Sequence, residues 1–207
     1  MTSTISYYFS LTSPWAYLGH DAFREIVARH GAKIDYRPVD LINLFGRTGG
    51  LPVGQRHISR QRYRFVELQR WREKRNVPLN LSPKHWPFTP ALPDSLIIAA
   101  VEAGHDPAEY ISRGMRAVWA EDRDLIDAQT VKEIADQAGL PGDELLAAAQ
   151  ASRIGDLYEQ NKQRAEEDGC FGSPTYILKG EIFWGQDRLD LLDDALRSGR
   201  EPFLAPE

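Results

Sequence analysis

The run Thr4–Ser10, "TISYYFS", is apolar at most positions, and a short apolar run bounded by turn residues reads as a buried strand. At "TSPWAYLG" the pattern changes. Ser13 is a preferred helix N-cap and Pro14 a preferred first helical residue, so the spacing predicts a helix from Pro14 to about His30, closed by Gly31. "KIDYRPVDL", from Lys33, predicts a second strand, and strand, helix and strand in this order favour parallel pairing through a right-handed crossover. The stretch 42–54, "INLFGRTGGLPVG", is rich in glycine and lacks a period, and reads as a mobile loop with the makings of a lid. From Gln55 to about Gly169 the pattern is helical, with breaks at "NVPLNLSPKHWPFTPALP", "AGHDP" and "AGLPGD". Thr130 to Glu133 reads as a capping box ahead of an apolar stripe of Val131, Ile134, Ala135 and Ala138. Strand pattern returns in "SPTYILKGEIFWG" as a hairpin turning at Lys179-Gly180, and "DRLDLLDDALRSG" predicts a last helix.

The order is therefore β-α-β, a long helical stretch, then β-β-α. Two such halves joined in one mixed sheet are the thioredoxin arrangement, an α/β fold, here opened by a large all-helical insertion. Residues 1–42 and 170–207 are expected to form the thioredoxin-like domain, and 43–169 the loop and helical subdomain. In this arrangement the turn after the first strand carries the reactive group, and a cis-proline before the third strand faces it. Ser13-Pro14-Trp15-Ala16 stands where a Cys-x-x-Cys would, and Ser173-Pro174-Thr175 stands where the cis-proline would. The dipeptide alone argues little for a cis bond, which about 5–6% of X-Pro bonds adopt in folded proteins; the expectation comes from the order of elements.

Composition narrows the chemistry. At 207 residues the chain can bury one full core, and its 42% apolar and 27% charged residues are ordinary for a globular protein. No segment is apolar and long enough to span a bilayer, and no secretory leader is visible, so the expected location is cytoplasmic. The net charge of −5 argues against general nucleic-acid affinity. A single cysteine, Cys170, excludes an internal disulfide, a two-cysteine redox cycle and a thiolate metal cage, and nothing cationic adjoins it, so it reads as a small buried filler. The five histidines lack metal-ligand spacing, and the acidic run "EDRDLID" lacks the loop geometry of a calcium site; no metal is expected. Any thiol chemistry here uses a borrowed thiol.

Four stretches, "YYFSLTSPWAYLG", "RYRFVELQRWREKRNVPL", "AVWAEDRDL" and "FGSPTYILKGEIFWGQDRLDLL", together resemble the 2-hydroxychromene-2-carboxylate isomerase family and the related kappa-class glutathione transferases. The resemblance implies glutathione as cofactor and a small aromatic-derived carboxylate as substrate, and it implies a homodimer. It gives Ser13 the role of holding the glutathione sulfur as thiolate, and gives Ser173, Pro174, Gly185, Gln186 and Asp187 the rest of the tripeptide. Arg60 matches the basic position of the kappa enzymes. Trp15, Phe45 and Trp86 are the expected walls of the substrate pocket, although Phe45 stands where the resemblance implies a basic residue. Physical chemistry agrees with the central role: a thiolate at a helix N-terminus meets unpaired N–H groups and the positive end of the helix dipole, and a hydroxyl donor adds a charge-assisted hydrogen bond.

Each assignment has a plainer rival. Ser13 can simply cap its helix, and Asp187 can cap the last one. The segment 56–75 holds eight Arg and Lys against Glu67 and Glu73, a composition that also suits a solvated helix face. Trp15, Trp86 and Trp119 can be core. Three functions stay open at this point: a glutathione-dependent isomerase, a kappa-like transferase or peroxidase, and a non-catalytic binding protein on a thioredoxin-like fold.

Overall fold

The computed structural model describes residues 2–206. Strands β1 (Thr4–Phe9), β2 (Lys33–Pro38), β3 (Thr175–Leu178) and β4 (Glu181–Trp184) form one sheet in the order β2-β1-β3-β4. β1 and β2 run parallel, joined by helix α1 (Pro14–His30), whereas β3 lies antiparallel to both β1 and β4. The α/β, thioredoxin-like architecture read from the pattern is the one observed.

Local signals act as expected at both ends of the chain. α1 starts on the Ser13 cap and stops at Gly31, whose φ of 59° places it in the left-handed region favoured by glycine. The β3–β4 hairpin turns on Lys179 and Gly180, both at positive φ (52° and 85°). Helix α9 (Leu189–Ser198) follows a short 3₁₀ turn, Gln186–Arg188.

Two readings are corrected. The stretch taken as a mobile loop contains helix α2 (Leu41–Thr48), because Asp40 accepts hydrogen bonds from the N–H groups of Ile42 and Asn43 and Gly49 closes the far end. A 3₁₀ turn at Val53–Gln55 follows it. Helix α3 spans Ile58–Arg75, α4 Ala91–Glu102, α5 Ala108–Trp119, α6 Ala128–Gln137, α7 Gly142–Ala148 and α8 Ser152–Glu167. The cap of α6 is Asp127, whose carboxylate accepts from the Thr130 N–H (2.9 Å) and hydroxyl (2.8 Å), so Thr130 lies inside the helix. With the helix already begun at Ala128, the N–H groups a Thr130 cap would hold lie inside the helix, and the Thr130 hydroxyl donates to Asp127 instead.

Both faces of the sheet are covered, which is why β1 reads as an almost continuous apolar run. On one face Tyr7 stacks on Phe9 (4.5 Å between centroids) and Tyr176 (5.3 Å), in the main core with Phe23 of α1. On the other, Tyr8 and Ile177 pack with Leu44 of α2 and Ala165 of α8. Cys170 is fully buried in this second cluster, and burial pushes its thiol up to about 12, so the filler reading fits. α1 packs beside α3, α5 and α9 and against the 3₁₀ turn at Gln186–Arg188, where Gly19 lets the chains meet: a Cβ there would lie 2.4 Å from the Gln186 Cβ.

Candidate functional site

The turn between β1 and α1 and the turn before β3 are tied together side by side. Ser13 is 2% exposed; its Oγ accepts from the Ala16 N–H (3.3 Å) and donates to the Ser173 carbonyl (3.1 Å). Ser173 reciprocates, its Oγ accepting from the Ser10 N–H at 3.0 Å. The Ser173-Pro174 bond is cis, as the order of elements implies, and so is Trp86-Pro87. The capping role of Ser13 is the one observed, and its proton is taken by the Ser173 carbonyl across the junction. The Ser173 and Pro174 carbonyls are engaged, not free edges: the first takes the Ser13 proton and the second accepts from the Gly185 N–H at 2.9 Å.

The segment carrying Ser13 is braced from the helical stretch. The Trp86 indole donates to the Thr12 carbonyl and the Trp119 indole to the Leu11 carbonyl, each at 3.0 Å, and the two rings lie 5.7 Å apart. Trp86 therefore holds the loop as well as walling a cavity. Sequence reading placed these tryptophans near the site but had no local signal for either bond.

Two cavities open beside this junction. The first, about 750 Å³, is lined by Arg60, Ser173, Gly185, Gln186 and Asp187, with Trp15 at its edge. The second, about 640 Å³, is lined by Ser13, Phe45 and Trp86 among others. Trp15, Arg56, Arg64, Ser173 and Trp184 border both. Of the residues expected around the tripeptide, Arg60, Ser173, Gly185, Gln186 and Asp187 line the first cavity, whereas Ser13 lines only the second; of those expected around the substrate, Phe45 and Trp86 line the second and Trp15 borders both. Pro174 lines neither, and acts here through its backbone.

Two placements differ from expectation. The Gln186 side chain is buried, and its carbonyl oxygen accepts from Arg75 Nε at 3.0 Å, so it anchors the 3₁₀ turn to α3. Asp187 sits inside that turn and does not cap α9, whose N-cap is Arg188. Its carboxylate pairs with Arg188 at 2.8 Å on the cavity rim. Gly185, at φ 98°, sets this geometry: a Cβ would fall 2.4 Å from Asp187 Oδ1.

The charge balance at the junction is basic. Arg56, Arg60 and Arg64 line the first cavity, while Glu67 in the same wall is already paired with Arg70 (2.6 Å). Burial, then the neighbouring Arg60, lowers Arg56; burial, then Arg56, lowers Arg64 to about 10, which leaves it charged at neutral pH. Most of α3 is the solvated face that its composition suggested, but Arg64 and Leu68 are buried. Sequence reading chose Arg60 and passed over Arg56 and Arg64. Helical spacing carried a signal, because Arg60, Arg64, Leu68 and Trp71 recur at intervals of three and four on one side of α3.

Among the described residues no cluster of His, Cys, Asp and Glu could hold a metal ion, and no helix is long and apolar enough to cross a membrane.

A family model described as a DSBA-like thioredoxin domain matches residues 4–197. A 2-hydroxychromene-2-carboxylate isomerase of Sphingobium xenophagum is 29% identical over 198 residues, covering 95% of this chain and 99% of the relative. A glutathione S-transferase kappa 2 of Caenorhabditis elegans is 22% identical, covering 98% and 94%. The solved structure of a 2-hydroxychromene-2-carboxylate isomerase superposes with a TM-score of 0.79 at 24% identity, over 94% of this chain and 95% of that one. The resemblance read from the four quoted stretches is matched by these relatives.

Proposed function

The chain belongs to the DSBA-like thioredoxin domain family, and from that premise we propose that it is a glutathione-dependent cis/trans isomerase of an unsaturated, aromatic-derived keto acid. The observation that carries the proposal is the position of Ser13. Its hydroxyl stands at a helix N-terminus and lines the aromatic-walled second cavity, and it is bonded to Ser173, which borders both that cavity and the one rimmed by Arg60 and Asp187. The full-length similarity to proteins named as isomerases and as a kappa glutathione transferase supports the same reading.

In this account the tripeptide lies in the first cavity, with a carboxylate toward Arg60 and its ammonium toward Asp187. A peptide N–H brought to the Ser173 carbonyl competes with the Ser13 hydroxyl for that acceptor, which frees the Ser13 proton to turn to the sulfur. A free thiol titrates near 8.5, so stabilisation of the anion by this donor and by the α1 N-terminus makes it mostly thiolate at neutral pH. The sulfur lone pair adds to the conjugated carbon of the acid in the second cavity, and the displaced π electrons move onto the carbonyl oxygen as an enolate. The former double bond is now single and rotates; collapse of the enolate re-forms the double bond and expels the thiolate unchanged. The protein contributes orientation and anion stabilisation. Cys170, the one cysteine, is buried away from these cavities, so the thiol is borrowed. A cytoplasmic homodimer completes the proposal.

A count of turnovers tests it. With glutathione at a small fraction of the substrate, isomer formation far beyond the amount of glutathione, with no glutathione consumed, is expected. Conjugate or disulfide formed in proportion to glutathione supports the kappa-like transferase or peroxidase instead, for which Arg60 in the first cavity is the favouring observation. No glutathione-dependent change supports the non-catalytic binding protein.

A further inference from the structure

The second cavity has an uneven charge distribution. Among the described residues, the charged side chains lining it are Arg56 and Arg64, and no carboxylate lines it. Arg64 is only 8% exposed, has no carboxylate within 4 Å and makes no hydrogen bond to a described residue; its guanidinium lies 5.4 Å from the centroid of the Trp86 ring. Three other arginines of α3 are committed elsewhere: Arg70 to Glu67, Arg72 to the Leu79 carbonyl and Arg75 to Gln186. Arg56 spends its Nε on the Leu51 carbonyl (2.7 Å), and its guanidinium lies 5.5 Å from the Phe45 ring.

A buried cation without a counter-ion is costly to hold, and a guanidinium fork matches a carboxylate in two parallel hydrogen bonds. We infer that Arg64, seconded by Arg56, is the carboxylate anchor of the second cavity, and that it selects flat aromatic acids over their neutral counterparts. The assignment rests on the reading of this cavity as the electrophile site. It explains how the chain dispenses with a basic residue at Phe45, since the cation reaches the same chamber from α3. An anchored acid lies with its carboxylate beside the Trp86 indole and its ring among the aromatic walls.

The test needs no glutathione. 2-Naphthoate and 2-naphthamide, nearly the same shape and differing in charge, are titrated into the whole protein while tryptophan fluorescence is followed. The acid is expected to bind at least tenfold more tightly than the amide, a preference that Arg64→Met abolishes while amide affinity stays within twofold. Arg62→Gln, on the same helix but lining neither cavity, is expected to leave both affinities unchanged. Equal binding of acid and amide by the native protein overturns the assignment, as does an undiminished acid preference in a folded Arg64→Met. If that variant fails to fold, Arg64→Lys decides: acid affinity reduced severalfold with amide affinity unchanged supports the fork, and unchanged acid affinity overturns it. A protein that ignores glutathione but prefers naphthoate through Arg64 contradicts the isomerase reading and leaves this assignment standing. One that turns over glutathione-dependently without an acid preference does the reverse.

Discussion

The two cavities share a wall at Trp15 and Ser173, yet they come from different parts of the chain. The first draws Gly185, Gln186 and Asp187 from the turn directly after β4, a stretch beginning eleven residues from the cis-proline, with one face of α3 opposite. The second is assembled from α2, the 3₁₀ turn after it, α3 and the segment around Trp86. One chamber has a charged rim at Arg60, Asp187 and Arg188; the other is walled by rings, and Arg56 and Arg64 border both. In the proposed account, thiol binding draws on the geometry of the sheet ends, whereas choice of electrophile draws on the helical stretch.

Substitution of Ser13, bonded to the shared wall at Ser173, has the largest expected effect. Ser13→Ala removes the donor to the thiolate, and loss of one such anion-stabilising group reduces turnover by about 10²–10³-fold. The same change removes a helix cap worth about 1 kcal/mol, so a thermal melt alongside steady-state kinetics separates the roles. A loss of stability with turnover intact leaves Ser13 as a cap.

His20 is buried in α1, which supplies Trp15 to both cavities, with its Nδ1 3.3 Å from the Tyr7 hydroxyl. Burial lowers its imidazole from about 6.5 to about 4. The unfolded chain therefore takes up this proton first as pH falls, so the contribution is complete above about 6.5 and declines until about 4. The cost is at most about 3 kcal/mol, read by urea unfolding at pH 7 and 4.5. Both cavities are expected to lose their ligands together in this window, because α1 contributes Trp15 to each.

Smaller effects separate the chambers. Asp187→Asn and Arg60→Gln are each expected to weaken glutathione about tenfold, roughly 1.4 kcal/mol, while leaving naphthoate binding unchanged, as calorimetry with each ligand would show. Gly185→Ala combines positive-φ strain with a clash against Asp187 Oδ1 and is expected to weaken glutathione severalfold in the same assay. Smallest is Trp86→Phe, which keeps an aromatic wall but deletes the bond to the Thr12 carbonyl; turnover is expected to fall a fewfold.

The parts legible in the sequence were those written by local rules. Ser13-Pro14 and Gly31 bound α1, Lys179-Gly180 turn the hairpin, and the strand-and-helix order announced the sheet and the facing proline. What escaped depended on competition or on distance. In 41–48 the glycine-rich sequence hid a helix whose cap, Asp40, lay just outside the stretch considered. At α6 two plausible caps lay three residues apart and the carboxylate prevailed. The indole bonds of Trp86 and Trp119 span 74 and 108 residues, beyond any periodicity. Arg64 looks like its seven basic neighbours until the helix turns it inward above Leu68.

The central claim, that this junction holds glutathione as a thiolate on Ser13, is tested most directly by titrating glutathione calorimetrically into the native protein and Ser13→Ala while following thiolate absorbance at neutral pH. The account predicts binding by the native protein with a thiolate signal, and a signal lost in Ser13→Ala while binding persists through Arg60 and Asp187. No binding to the native protein, or an equal thiolate signal in both, would contradict it.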